Sequence, residues 1–106
     1  MPEKRYKYPL SEGITLAVRW KTEQKKCQKA VIVDFCIALL YKEKEVIRFD
    51  NKHGSVHKHV FDQTRRERIE VISGFRNLSE AFNALLEDVK KKYEKFLDWY
   101  NKKSIE

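Results

Sequence analysis

His53, His57 and His59 are the only histidines of the chain, and they fall within seven residues of one another. Imidazoles titrate near neutral pH, so a pair of them can serve one reaction as general base and general acid. Around them stand Arg48, Asp50, Asn51, Lys52 and Lys58. RNA cleavage through the 2′-hydroxyl needs a base, an acid and a cation for the charge that builds on the phosphate, and it needs no cofactor. In that reading His57 and His59 are the acid–base pair and Asp50 orients a histidine. Arg48, Lys58 or Lys52 supplies the cation, and Asn51 and His53 add substrate contacts.

The same residues admit two other readings. His57 and His59 lie two apart on an expected strand, so both project from one face, and His53 folding over from the turn would complete a three-imidazole zinc site. No acidic or thiol ligand stands beside them at a recognised metal spacing. Alternatively the cluster is a polar strand and turn within a non-catalytic module, binding a partner protein or nucleic acid.

The elements that must position these residues follow from period. Ile14, Leu16, Val18 and Trp20 alternate with Thr15, Ala17 and Arg19, which predicts a half-buried strand. Ala30 to Tyr41 is apolar on both faces apart from Asp34, as befits a central strand. After the Lys42–Glu45 turn, Val46 to Asp50 predicts a third strand. Asn51 to Ser55 turns at Gly54, and Val56 to Phe61 returns as a fourth. His57, His59 and Phe61 share one side of it; Val56, Lys58 and Val60 share the other. Both sets mix apolar and polar members, so which one meets the core stays open. Glu67 to Ile72 reads as a fifth strand, with a short helix from Asp62 to Gly74 as the competing assignment. Residues 1–12, with Tyr6 and Tyr8 among basic residues, read as a loosely ordered terminus whose tyrosines pack on the sheet edge.

The last element is the plainest. Asn77-Leu78-Ser79-Glu80 has the form of a capping box, with Asn77 as N-cap and Glu80 reaching back. From there Leu78, Phe82, Leu85, Leu86, Val89, Tyr93, Phe96, Leu97 and Tyr100 recur at helical spacing. The expected architecture is α+β: an antiparallel sheet of four to five strands with one long C-terminal amphipathic helix on one face. The aromatic stripe near Phe96, Trp99 and Tyr100 is long for so small a domain and suits a homodimer contact.

At 106 residues the chain fits a single domain, 1–106. Its net charge of +7 is concentrated at the front: residues 1–30 hold eight Lys and Arg against three Asp and Glu. Residues 77–106 hold six of each. Such a surplus favours RNA, DNA or an acidic partner. No apolar run approaches a membrane span, and the first residues lack the apolar core of a signal peptide, which points to the cytoplasm. Cys27 and Cys36 make no disulfide framework and read as reduced thiols.

The run Ile47-Arg48-Phe49-Asp50-Asn51, followed by His57-Lys58-His59-Val60, resembles the R-[FY]-D-N…H-H-K-H signature of TumE-type toxins of prokaryotic toxin–antitoxin pairs. The order of a β-meander, the histidine motif and a helix opened by Leu78 to Ala81 is also similar, over roughly residues 30 to 95. Val56 stands where that signature has its first histidine. The resemblance implies a toxin acting on RNA or translation, with a cognate, DNA-binding antitoxin as its partner.

Overall fold

The computed structural model describes residues 3–102. Six strands form one antiparallel meander in chain order: β1 (Glu3–Ser11), β2 (Ile14–Glu23), β3 (Val31–Tyr41), β4 (Lys44–Asp50), β5 (Val56–Phe61) and β6 (Glu67–Ile72). A 3-10 turn at Lys52–Gly54 joins β4 to β5, and α1 (Leu78–Lys102) closes the fold. The architecture is the expected α+β one with a strand more. That strand is β1, where the loosely ordered terminus was expected. Its residues pair with β2 from Glu3↔Lys21 to Ser11↔Ile14, and Tyr6 stacks edge-on to Trp20 at 5.2 Å. Lysines and Pro9 disguise this strand in the sequence, yet both are ordinary on an edge, where one row of backbone groups faces water. The competing helix at 62–74 is absent, because Asp62 instead ties the β5–β6 hairpin. Its Oδ1 accepts from the backbone N–H groups of Thr64 and Arg66 and from the Thr64 hydroxyl.

Asn77 caps α1 as expected: its Oδ1 accepts the Glu80 N–H at 2.8 Å. Glu80 does not reach back, because its carboxylate takes Arg76 at 2.7 Å. A helix of 25 residues is about 37 Å long, close to the roughly 36 Å of an eleven-residue strand such as β3. The two run side by side. Ser79 at the start of α1 accepts the Ile32 N–H, and Tyr100 at its end meets Tyr41. Between them Phe82 wedges against Trp20 and Phe35, at 5.3 and 5.6 Å between rings. Leu85, Val89 and Leu97 complete the buried helical face over Leu16, Val18, Ile37, Leu39, Ile47 and Phe49.

One helix covers one face of a sheet, so the other face is left without a layer. The register decides which residues it carries. Ile37 pairs with Phe49 and Leu39 with Ile47, and Ile47 in turn with Val60. These residues point at α1, and Val56, Lys58 and Val60 point with them. The histidine side of β5 therefore faces away from the helix. Tyr41-Lys42-Glu43-Lys44 sets this register through a tight turn in which Lys42 and Glu43 both take positive φ, the form that matches strand twist.

Candidate functional site

The uncovered face gathers Arg48 and Asp50 from β4 with His57 and His59 from β5. Direct partners across the ladder are Arg48↔His59 and Asp50↔His57. Diagonal neighbours in an antiparallel pair are also within reach of long side chains, and here the diagonals make the contacts. His59 Nε2 lies 3.4 Å from Asp50 Oδ1 and 3.3 Å from Oδ2. On its other side His59 Nδ1 lies 2.5 Å from Oε1 of Glu67, again a diagonal, since His59 pairs directly with Ile69. His59 is thus buried and held between two carboxylates. A neutral imidazole can donate from one nitrogen only, so only the doubly protonated ring donates to both.

Arg48 extends the chain of contacts. Its Nε donates to Asp50 at 3.1 Å and its Nη1 to Glu45 at 2.9 Å. Glu45 lies three residues before Arg48, an odd separation that a regular strand would place on the opposite face. The register shift opposite Leu39/Leu40 inserts Val46 and turns both Val46 and Ile47 toward the core, which returns Glu45 to the open side. Phe61, buried on the histidine side, carries the guanidinium groups of Arg48 and Arg65 over its ring at 5.7 and 4.9 Å.

His57 is bound more simply. Its Nδ1 lies 2.9 Å from the Ser55 carbonyl oxygen, an acceptor, so this nitrogen carries the proton, and in the neutral ring Nε2 presents a lone pair. The His57 and His59 ring centroids are 6.3 Å apart.

Not every expected residue joins this group. Lys58 is on the helix side, with its ammonium 5.8 Å over the Phe96 ring, because adjacent strand residues point to opposite faces. Asn51 is buried and engaged in the fold. Its Oδ1 accepts the Phe35 N–H at 2.9 Å and its Nδ2 donates to the Val33 carbonyl at 3.2 Å. Its side chain replaces the backbone rung that β4 no longer supplies to β3. Lys52 lines the trough beside the site, and its backbone N–H donates to Asp50 at 3.4 Å. The His53 side chain lies outside the described residues. Conversely, Glu67 and Glu45 belong to the site and were not expected there. The Asp62-Gln63-Thr64 turn would have located Glu67, since it fixes Phe61↔Glu67 and so puts position 67 diagonal to His59. The bulge that returns Glu45 has no counterpart in hydrophobic period.

Beside the histidines the open face sinks into a trough of about 460 Å³ lined by Arg19, Asp34, Cys36, Glu45, Arg48, Asp50 and Lys52. The arginines of this face are matched by anions. Arg19 contacts Asp34 at 3.0 Å and Glu3 at 3.5 Å, Arg5 contacts Glu3 at 3.3 Å, and Arg48 has Glu45 and Asp50. Two arginines of the basic front half, Arg5 and Arg19, are therefore paired on this face. Among the described residues no three His, Cys, Asp or Glu side chains converge as ligands for one metal ion, and no helix is long and apolar enough to cross a membrane.

Burial pushes the Cys36 thiol above its ordinary range, which leaves less of the reactive thiolate at mildly alkaline pH. Cys27 is exposed. With iodoacetamide at about pH 8, Cys27 is expected to be alkylated well ahead of Cys36, and both together in denaturant. Mass spectrometry of the time course checks this; equal native rates would refute it.

One protein family matches the chain, over residues 1–105, and it is described as a domain of unknown function, DUF7718. No curated protein and no solved structure matches.

Proposed function

The chain belongs to the DUF7718 family, and for it we propose a metal-independent ribonuclease of the TumE-like toxin type. The observation that carries the reading is the unequal pair of histidines on one uncovered sheet face. His57 offers a lone pair at Nε2, while His59 is clamped between Asp50 and Glu67 in the arrangement that suits its protonated form. His57 Nε2 takes the proton of the 2′-hydroxyl as its oxygen attacks phosphorus. His59 Nε2 gives a proton to the departing 5′-oxygen, leaving a cyclic phosphate. Its contact to Asp50, at 3.3 to 3.4 Å, is long enough to yield to that oxygen. The short contact to Glu67 keeps the ring in place meanwhile.

Arg48 stabilises the charge on the phosphate. Two of its five N–H donors are committed to Asp50 and Glu45, which aim the fork without exhausting it. Asp50 is thereby the orienting carboxylate of both His59 and Arg48. The resemblance of the Arg48–Asn51 and His57–Val60 runs to TumE-type toxins adds an RNA or translation target and a DNA-binding antitoxin as partner.

A second reading draws on the pairing of the arginines on the open face. A guanidinium already paired with carboxylates attracts RNA weakly, since backbone binding relies on unneutralised cations. A non-catalytic module that docks a partner protein on this face fits that pairing. Incubating the purified chain with several structured and single-stranded RNAs in excess chelator separates the two. Cleavage that persists in chelator and is abolished in His57→Ala/His59→Ala is expected. Intact RNA with the unsubstituted protein on every substrate would favour the binding module.

A further inference from the structure

The two edges of the sheet are unlike. β1 carries Pro9 and the basic residues Lys4, Arg5 and Lys7, the features that keep an edge from pairing with another sheet. β6, Glu67-Arg68-Ile69-Glu70-Val71-Ile72, has neither proline nor lysine, and its first five residues are all exposed. Ile69 and Val71 are 55% and 68% exposed, the two most exposed large apolar side chains among the described residues. Both stand on the open face beside the histidines, since they pair with His59 and His57.

We infer that β6 pairs antiparallel with β6 of a second copy of this chain, on a two-fold axis through Ile69. The backbone supplies the first reason. The Asp62 N–H donates to the Arg66 carbonyl at 3.0 Å, closing the β5–β6 hairpin. Ladder bonds alternate along an antiparallel pair, so from there Arg68, Glu70 and Ile72 turn their backbone groups to β5. Those of Glu67, Ile69 and Val71 point off the sheet. With the axis at Ile69, each of these meets its match: Ile69 opposite Ile69 of the copy, and Glu67 opposite Val71 at both ends.

Charge selects this register over its neighbours. Keeping both helices on the same side of the joined sheet requires pairing about a residue rather than between two. An axis at Arg68 sets arginine against arginine, and an axis at Glu70 sets glutamate against glutamate. The axis at Ile69 puts Arg68 of each copy opposite Glu70 of the other, twice over. Within one chain these two already touch at 3.3 Å on the helix side, so pairing extends the contact to a four-member alternation of charge. On the open face Ile69 packs on its own copy, and Val71 of the copy lies across from Glu67, the carboxylate that holds His59. Assembly thus shields the Glu67–His59 contact from water, and the two histidine sites come to share one continuous sheet face.

The test uses the full chain. Sedimentation equilibrium up to ~100 µM is expected to show a dimer. Arg68→Glu should weaken the dimer about tenfold by setting like charges opposite each other, and Arg68→Glu/Glu70→Arg should restore it. Cysteine placement reads the register. In a Cys27→Ser background, Ile69→Cys puts two Cα atoms about 5.5 Å apart across the axis, within disulfide reach. Val71→Cys puts them about 14 Å apart, beyond it. Both sites are exposed, so neither substitution threatens folding. Mild oxidation should therefore link Ile69→Cys at least tenfold faster than Val71→Cys. A monomer at the highest concentration would overturn the proposal. So would a dimer that links equally at both positions or at neither, which would place the contact elsewhere, such as the aromatic end of α1.

Discussion

His57→Ala is expected to abolish RNA cleavage while leaving the unfolding midpoint within about 1 °C of the parent chain. A general base contributes on the order of 10²–10⁴ to rate, and the single described hydrogen bond of the His57 ring is an exposed one to Ser55, so little stability is at stake. His59→Ala removes the proposed acid, so cleavage falls by a similar factor, but stability falls as well. It strips the shared partner from Asp50 and Glu67 and leaves a hollow in a buried position. Losing a hydrogen-bond partner from a buried polar group costs about 1–3 kcal/mol. The two variants are to be compared by turnover and by thermal denaturation followed by circular dichroism. If His57→Ala retains activity, the base is not His57; if His59→Ala is as stable as the parent chain, the clamp is not holding the strands.

Asn51→Ala is expected to be the most destabilising single change at the motif, without touching a proposed catalytic group. It orphans the Phe35 N–H and the Val33 carbonyl in the middle of the sheet. Each buried unsatisfied group costs about 1–3 kcal/mol, and each kcal/mol moves the midpoint of a domain this size by about 4–8 °C. A fall on the order of 10 °C or more is expected in a thermal melt. Asn51→Asp keeps the acceptor for Phe35 but loses the donor to Val33 and sets a carboxylate against a carbonyl oxygen, so it is expected to fare no better. A melt within about 3 °C of the parent chain would show that Asn51 does not anchor β4 to β3.

These two results separate roles that lie side by side in the sequence. Arg48-Phe49-Asp50-Asn51 reads as one motif, yet its members face different tasks. Phe49 is core, Arg48 and Asp50 form the site, and Asn51 stitches β3 to the end of β4. The separation has a consequence for phosphate binding. Glu45 and Asp50 hold Arg48 in place, and a phosphate must displace part of that contact to be bound, so RNA affinity should rest on few contacts and depend only modestly on salt.

Periodicity alone carried the α+β class, the central strands and the helix. Alternation at Ile14–Trp20 and along Ala30–Tyr41, the helical stripe from Leu78 to Tyr100 and the Asn77 cap are local signals. Burial in this fold follows them because each strand or helix has one apolar face to hide. The histidine motif was legible for a similar reason, since residues two apart on a strand must share a face. Three things needed the tertiary structure. Which side of β5 meets the core depended on the register with β4, because Val56, Lys58 and Val60 mix apolar and polar members, as His57, His59 and Phe61 do. The partners of His59 and Arg48 come from diagonal and bulged positions, which pairing between strands creates and no single strand records. β1 declared itself only through its neighbour: an edge strand with one side in water needs no apolar alternation, and its pairing to β2 supplies the order that its own residues do not encode.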